Sequence, residues 1–189
     1  MGQEKWKTMH TFAIWAIFDG IEENGLRLRF ATDSDFSFVR ETVCHPSTVR
    51  ALGDTLESAQ ATLEQLWAEG LDGPGMRHFI AETEGKEAIP VGYLRLLYPF
   101  AWPCSLWLSF IAIAPSRRRQ CFGRRILGML LSAAARSDCV EKFGMHTGSS
   151  NAPARRLYES FCFRCVKCEP WQNEDGTRDE RVTYCRILR

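Results

Sequence analysis

The sequence predicts a mixed α/β (α+β) domain: a central, mostly antiparallel sheet of about seven strands flanked by about four helices. Three observations point there. At 189 residues with 45% apolar content, the chain suits one domain with a sizeable core. Strand-like runs follow one another quickly between residues 78 and 113, and short links favour antiparallel neighbours. Between the strand ending at Ile113 and the one starting at Lys142 lies a long helical pattern, which demands a parallel crossover.

Residues 1–25 read as an N-terminal extension and 26–189 as a single domain. Phe12 to Phe18 is an unbroken apolar run, too short to span a bilayer and followed by Asp19, Glu22 and Glu23 rather than by a cleavage site. A packed helix or extra strand fits it better, at a subunit contact if the chain forms a homodimer. Residues 26–30 alternate as a first strand, and Asp35 is placed to cap a helix through about Val43. The segment around His45-Pro46 reads as a loop. A helix follows over 55–69, stopped by Gly70, and Gly73-Pro74-Gly75 is turn chemistry. Strands are predicted at 78–83, 90–98 and 105–113, then a helix to about Ser137. A strand at 142–147, a helix at 151–161 and strands at 164–171 and 181–188 complete the order.

The most informative stretch is IAPSRRRQCFGRRIL, from Ile113 to Leu127. Ile126, Leu127, Leu130, Leu131 and Ala134 recur with helical period, so the turn ends on a helix N-terminus. The first amides of a helix lack internal partners and carry partial positive charge. Arg117, Arg118, Arg119, Arg124 and Arg125 crowd the same turn beside Gly123. Free amides with dense positive charge make a pocket for a phosphorylated ligand. With a net charge of +1 the chain has no global field for nucleic acid, and neither nucleic acid nor a membrane is an expected partner.

Eight cysteines among apolar residues behave as small hydrophobes, which suits a reducing, cytoplasmic setting. Cys162, Cys165 and Cys168 have metal-like spacing. A strand there would send Cys165 and Cys168 to opposite faces, and no fourth ligand is near, so no metal is expected. Asn151, Ala154, Arg155 and Tyr158 fall on one helical face, with Asn151 placed to cap the helix.

Three patches resemble the GCN5-related N-acetyltransferase family: LRLRFATDSDF; the Arg118-Arg119-Gln120-Cys121-Phe122-Gly123 core, similar to the R/Q-x-x-G-x-G/A signature; and NAPARRLYESFCF, similar to the family's asparagine-to-tyrosine helix. The resemblance implies acetyl-coenzyme A as acyl donor. Its pyrophosphate would lie on the amides of Arg119 to Arg124, spanning Gln120, Cys121, Phe122 and Gly123, with Arg118, Arg119 and Arg124 as side-chain partners. Its pantetheine would run beside Phe110 to Ile113, bonded to the backbone of Ile111 and Ile113, where the family's sheet splays. Asn151 and Tyr158 would complete that site. The Ile111 amide would stabilise the carbonyl oxygen, and Tyr158 would protonate the leaving thiolate.

The sequence departs from the family pattern in places. Cys121 stands where the signature's first glycine belongs, and Cys162 replaces the glycine of a Gly-Phe pair, the latter read as a packing change. Trp107 and Ser109 occupy positions where relatives often carry a basic Glu or His. Glu82 and His146 are the substitutes, and an amine arriving neutral is a third route. Loops after the first strand, between Tyr98 and Ser105 and before the last strand would form the substrate mouth, with Tyr98, Phe100, Trp102, Trp107 and Trp171 as its aromatics and Asp33, Glu174 and Asp175 as its charges. The expected activity is acetyl transfer to a primary amine of a small molecule or peptide. A coenzyme-binding sensor or interaction module without catalysis is the alternative.

Overall fold

A computed structural model describes residues 14–71, 73, 75–99 and 105–189. The elements in chain order are β1 (Glu22–Glu23), β2 (Leu26–Phe30), α1 (Phe36–Val43), α2 (Pro46–Leu52), α3 (Leu56–Ala68), β3 (Met76–Thr83) and β4 (Pro90–Leu97). Then come β5 (Ser105–Ile113), α4 (Phe122–Arg136), β6 (Lys142–Gly148), α5 (Ala152–Ser160), β7 (Arg164–Gln172) and β8 (Arg178–Ile187). They form one eight-stranded sheet in the order β1-β2-β3-β4-β5-β6-β8-β7. Every pairing is antiparallel except β5 with β6, the crossover that α4 supplies. No helix among the described residues is long and apolar enough to cross a membrane.

The central strands are buried on both faces, and their side chains alternate between two cores. Phe79, Ala81, Leu94 and Leu96 join the larger one with α4, while Ile80 and Tyr93 join the smaller one with Val39 and Val43 of α1 and Leu63 of α3. The helical stripe of α4 is covered throughout: Ile126, Leu127, Leu130, Leu131 and Ala134 are all buried. Each such Leu or Ile contributes about 1.5–3 kcal/mol on leaving water.

Two elements go beyond the sequence expectation. β1 is the eighth strand, joined to β2 through Asn24-Gly25, both with positive φ. Asn-Gly between strand residues is a hairpin signal that could have been read. The segment at His45-Pro46 is not a loop but α2. His45 accepts the Ser47 amide through Nδ1, Pro46 opens the helix, and Gly53 closes it at φ 66. Seven residues are too few to show a helical period, though Pro inside the start and Gly past the end were both present.

Asp35 stands at the N-cap of α1, as expected, but its side chain makes no capping bond. Its carboxylate takes the Arg29 guanidinium in a two-point bond of 2.7 and 2.8 Å and accepts the Thr32 amide at 2.8 Å. The described part of the Phe12–Phe18 run packs onto the domain, as a packed segment would. Ile14, Trp15 and Phe18 are buried in the larger core, the last two against Phe79; Phe12 lies outside the described residues. Cys165 and Cys168 do not point to opposite faces. The register shifts between Cys165 and Lys167, and this bulge brings the two sulfurs within 3.4 Å.

Across the one parallel pair, Trp107 faces Gly144, and a Cβ at Gly144 would collide with the indole. Gly144→Ala is therefore expected to cost about 1–3 kcal/mol by overpacking, read as a lowered Tm on thermal unfolding.

Candidate active site

The functional geometry begins where two parallel strands part. β5 and β6 pair from Ser105↔Lys142 to Leu108↔Met145, but β5 continues to Ile113 and β6 to Gly148. A bulge at Ser109 marks the parting, because Leu96 pairs with Leu108 whereas Arg95 pairs with Phe110. Past it, successive residues of β5 turn their backbone groups alternately toward β4 and away. The Ala114 amide donates to Val91 of the adjoining chain segment, so Ala112 and Phe110 also face β4. Ile111 and Ile113 consequently present theirs to the gap. The Ile113 carbonyl there accepts Arg118 Nε at 3.1 Å. The gap is a cleft of about 380 Å³ lined by Ile111, Ile113, His146, Asn151 and Tyr158 among others.

At its end lies a second basin of about 340 Å³ over the arginine-rich turn, sharing Ile113, Gly123, Pro153 and Leu157 with the cleft. Arg119 and Cys121 both hold the left-handed conformation, at φ 61. Among the described residues no backbone acceptor meets the amides from Arg119 to Arg124, and no side chain caps α4. Open amides at a helix start beside left-handed residues fit a diphosphate. Gly123 has ordinary helical backbone. Its lack of a Cβ matters instead, since an added one would touch Leu157 and Ile113 at 3.6 and 3.8 Å, where basin and cleft meet.

The arginines divide by partner. Arg118 lines the basin while its guanidinium donates to Ile113, to Ser47 and to Thr48 at 2.6 Å, tying α2 to the end of β5. Burial lowers its pKa. Arg124 donates to Ser160 at 3.0 Å and lies over Phe161, on the rim between α4 and α5. Arg119 and Gln120 are exposed, the latter bonded to the Ser116 carbonyl. Phe122 is buried under Arg125.

Cys162, too, is left-handed, at φ 60, directly after the α5 C-cap. It is a backbone position suited to glycine, not merely a packing change. A left-handed β-carbon costs about 1–2 kcal/mol, against about 0.5–1 kcal/mol for glycine's extra chain entropy. Cys121→Gly and Cys162→Gly are each expected to raise stability by up to about 1 kcal/mol, read from denaturant midpoints.

Tyr158 projects from α5 into the cleft, its ring edge-on to Phe163 and Tyr184. Burial pushes its hydroxyl up to about 12, so it holds its proton at neutral pH. Asn151 accepts the Ala154 amide through Oδ1 and donates from Nδ2 to the Ala51 carbonyl, joining α5 to α2. Asp179 accepts the hydroxyls of Ser149 and Ser150, fixing the turn that presents Asn151.

The two substitute bases separate. His146 lines the cleft against Trp107, with ring centroids 5.9 Å apart. Desolvation and then the Arg181 charge hold its pKa below the usual histidine value, Glu169 opposing them, so the ring is neutral and can accept a proton. Glu82 does not reach the cleft. It is buried on β3 and accepts Arg29 Nε at 2.8 Å.

The mouth differs from expectation. Trp171 lines the cleft under Arg181, whose guanidinium lies 3.3 Å from the indole centroid. Tyr98 is turned away, donating to the Cys139 carbonyl at 3.1 Å, and Asp33, Glu174 and Asp175 are not among the lining residues. Phe100 and Trp102 lie outside the described residues. Ala51 and Leu52 of α2, with Asn173 and Arg181, complete the wall. α2 was missed in the sequence, and with it this side of the site.

A family model described as the acetyltransferase (GNAT) family matches residues 44–163. No curated protein sequence matches. Among solved structures, spermidine N-acetyltransferase from Vibrio cholerae in complex with CoA and spermine is similar at TM-score 0.68 and 16% identity, covering 88% of this chain and 97% of that one. A GNAT-family protein from Desulfovibrio desulfuricans follows at TM-score 0.66 and 22% identity, with 87% and 99% covered. The structure of yncA from Salmonella typhimurium with its cofactor acetyl-CoA gives TM-score 0.62 and 19% identity, with 88% and 95% covered. By its fold and by the family match over Cys44 to Phe163, the chain belongs to the acetyltransferase (GNAT) family, enzymes that take their acyl group from acetyl-coenzyme A.

Proposed function

We propose that the chain acetylates a primary amine of a small molecule or peptide by direct attack on the acetyl donor. One observation carries this reading: the gap-facing backbone of Ile111 and Ile113, the Tyr158 hydroxyl and the open amides from Arg119 to Arg124 border two adjoining depressions that share Ile113, Gly123, Pro153 and Leu157. Those amides hold the diphosphate. Ile111 and Ile113 hold the pantetheine arm by strand-like pairing, which needs no particular side chain. The Ile111 amide stabilises negative charge growing on the carbonyl oxygen.

The attacking nitrogen forms the new C–N bond as the C–S bond breaks. The Tyr158 hydroxyl gives its proton to the departing sulfur, and the neutral His146 ring takes the proton the nitrogen sheds, directly or through water. The seven described cysteines are free thiols, as a cytoplasmic setting would keep them.

Thiol release from acetyl-coenzyme A tests the reading, followed over a panel of primary amines. Amine-dependent release is the expected result. Coenzyme uptake without release for any amine would overturn it in favour of a non-catalytic sensor.

A further inference from the structure

Beside the cleft lies a second cavity of about 200 Å³, and Phe110 and Leu52 line both. Its other walls are chiefly apolar, from Val43, Leu63, Leu66 and Tyr93. Arg95 of β4 enters it. The guanidinium lies 5.2 Å from the Phe110 ring centroid, and Nε is buried with no hydrogen-bond partner. Among the described residues no carboxylate comes within ion-pairing distance of it, although Asp54 lines the same cavity. The Asp54 carboxylate accepts the Thr55 amide at 2.8 Å, at the start of α3.

A guanidinium stays charged at neutral pH wherever it is placed. Held in an apolar wall without a counter-ion, it bears a desolvation cost that a bound anion would offset. The cleft itself adds Arg181 and no carboxylate to the lining. Across both cavities the formal charges are Arg95 and Arg181 against Asp54 alone. A polyamine, such as the spermine held by the Vibrio cholerae enzyme, would meet two cations and a single acid.

We propose that Arg95 binds the acid group of the acceptor, so that the substrate is an amine carrying a carboxylate and an apolar body, its nitrogen at the Phe110 wall and its carboxylate on the guanidinium. The proposal rests on the acetyl-transfer reading and names its substrate class. The planar fork of arginine matches a carboxylate at two points, and the apolar walls suit a side chain of leucine or methionine size.

Leucine, methionine and phenylalanine, each compared with its carboxamide and its decarboxylated amine, test this by thiol release. The wild-type protein is expected to favour the acid by roughly tenfold to hundredfold in kcat/KM, the worth of a charged hydrogen-bonded contact. In Arg95→Met the ratio of acid to carboxamide should fall to about one. Because the ratio compares two substrates on one protein, a partly misfolded sample does not distort it.

Equal rates for acid and carboxamide in the wild type, or a preference that persists in Arg95→Met, would overturn the assignment and leave acetyl transfer standing. Thiol release with none of the amines would locate the failure in the transfer reading. Calorimetry on the coenzyme-loaded protein then decides Arg95 separately. Leucine binding at least tenfold weaker in Arg95→Met supports the assignment, and equal binding refutes it.

Discussion

Tyr158→Phe is expected to lower kcat by about 10²- to 10⁴-fold, the usual contribution of a positioned proton donor. The substitution removes one oxygen and keeps the ring, so the edge-on contacts with Phe163 and Tyr184 survive. In the proposed mode the coenzyme is gripped elsewhere, on amides from Arg119 to Arg124 and on the gap-facing backbone of β5. Coenzyme affinity should therefore stay within about twofold while turnover collapses, a split that excludes gross misfolding. With its hydroxyl raised to about 12, Tyr158 remains a donor across the neutral range. Loss of the rate at mildly alkaline pH would have to come from another group. An unchanged kcat would remove Tyr158 from the proton path.

Arg29→Met is expected to destabilise the fold by about 3–5 kcal/mol, the cost of leaving buried acids without their partner. Arg29 on β2 bridges Asp35 at 2.7 Å and Glu82 at 2.8 Å, and both carboxylates are nearly buried. Methionine keeps the stem's volume but strands two negative charges against each other. The same cluster sets an acid limit on stability. Burial alone would raise the Asp35 carboxyl, but the bonds from Arg29 and Thr32 outweigh it and hold the pKa below the usual value. A depressed folded-state pKa gives stability that is present above the unfolded carboxyl's pKa and is lost as pH falls through the folded one. Wild-type stability should thus fall on acidification below about pH 4, and Arg29→Met should show a shallower fall. Denaturant unfolding at neutral and acidic pH measures both effects.

How much of this was legible depended on whether a residue's task is local. The α4 stripe from Ile126 to Ala134 and the Asn151 cap of α5 are set by neighbours along the chain, and pattern reading finds them. So is the exposure of backbone amides at the start of α4. Glu82 could not be placed from sequence, because its partner Arg29 stands 53 residues away and on another strand. The bonds of Arg118 to Ser47 and Thr48 could not be foreseen, because those partners belong to a helix too short to announce itself. The bulge that turns Cys165 and Cys168 to one side breaks the strict alternation on which face assignments rest. The glycine-like backbone at Cys121 was foreseeable from the family pattern, but the same conformation at Cys162 was read only as packing. Arg95 left no sequence signal, since an arginine on a strand usually reaches solvent, and only the cavity beside the cleft gives it meaning.

Calorimetric titration with coenzyme A, set beside pantetheine lacking the diphosphate, bears most directly on the main-chain grip at the start of α4. Saturable uptake of coenzyme A in the micromolar range, with pantetheine at least tenfold weaker, is the expected result. Absence of coenzyme A binding at millimolar concentration, or equal affinity for the two, would contradict it.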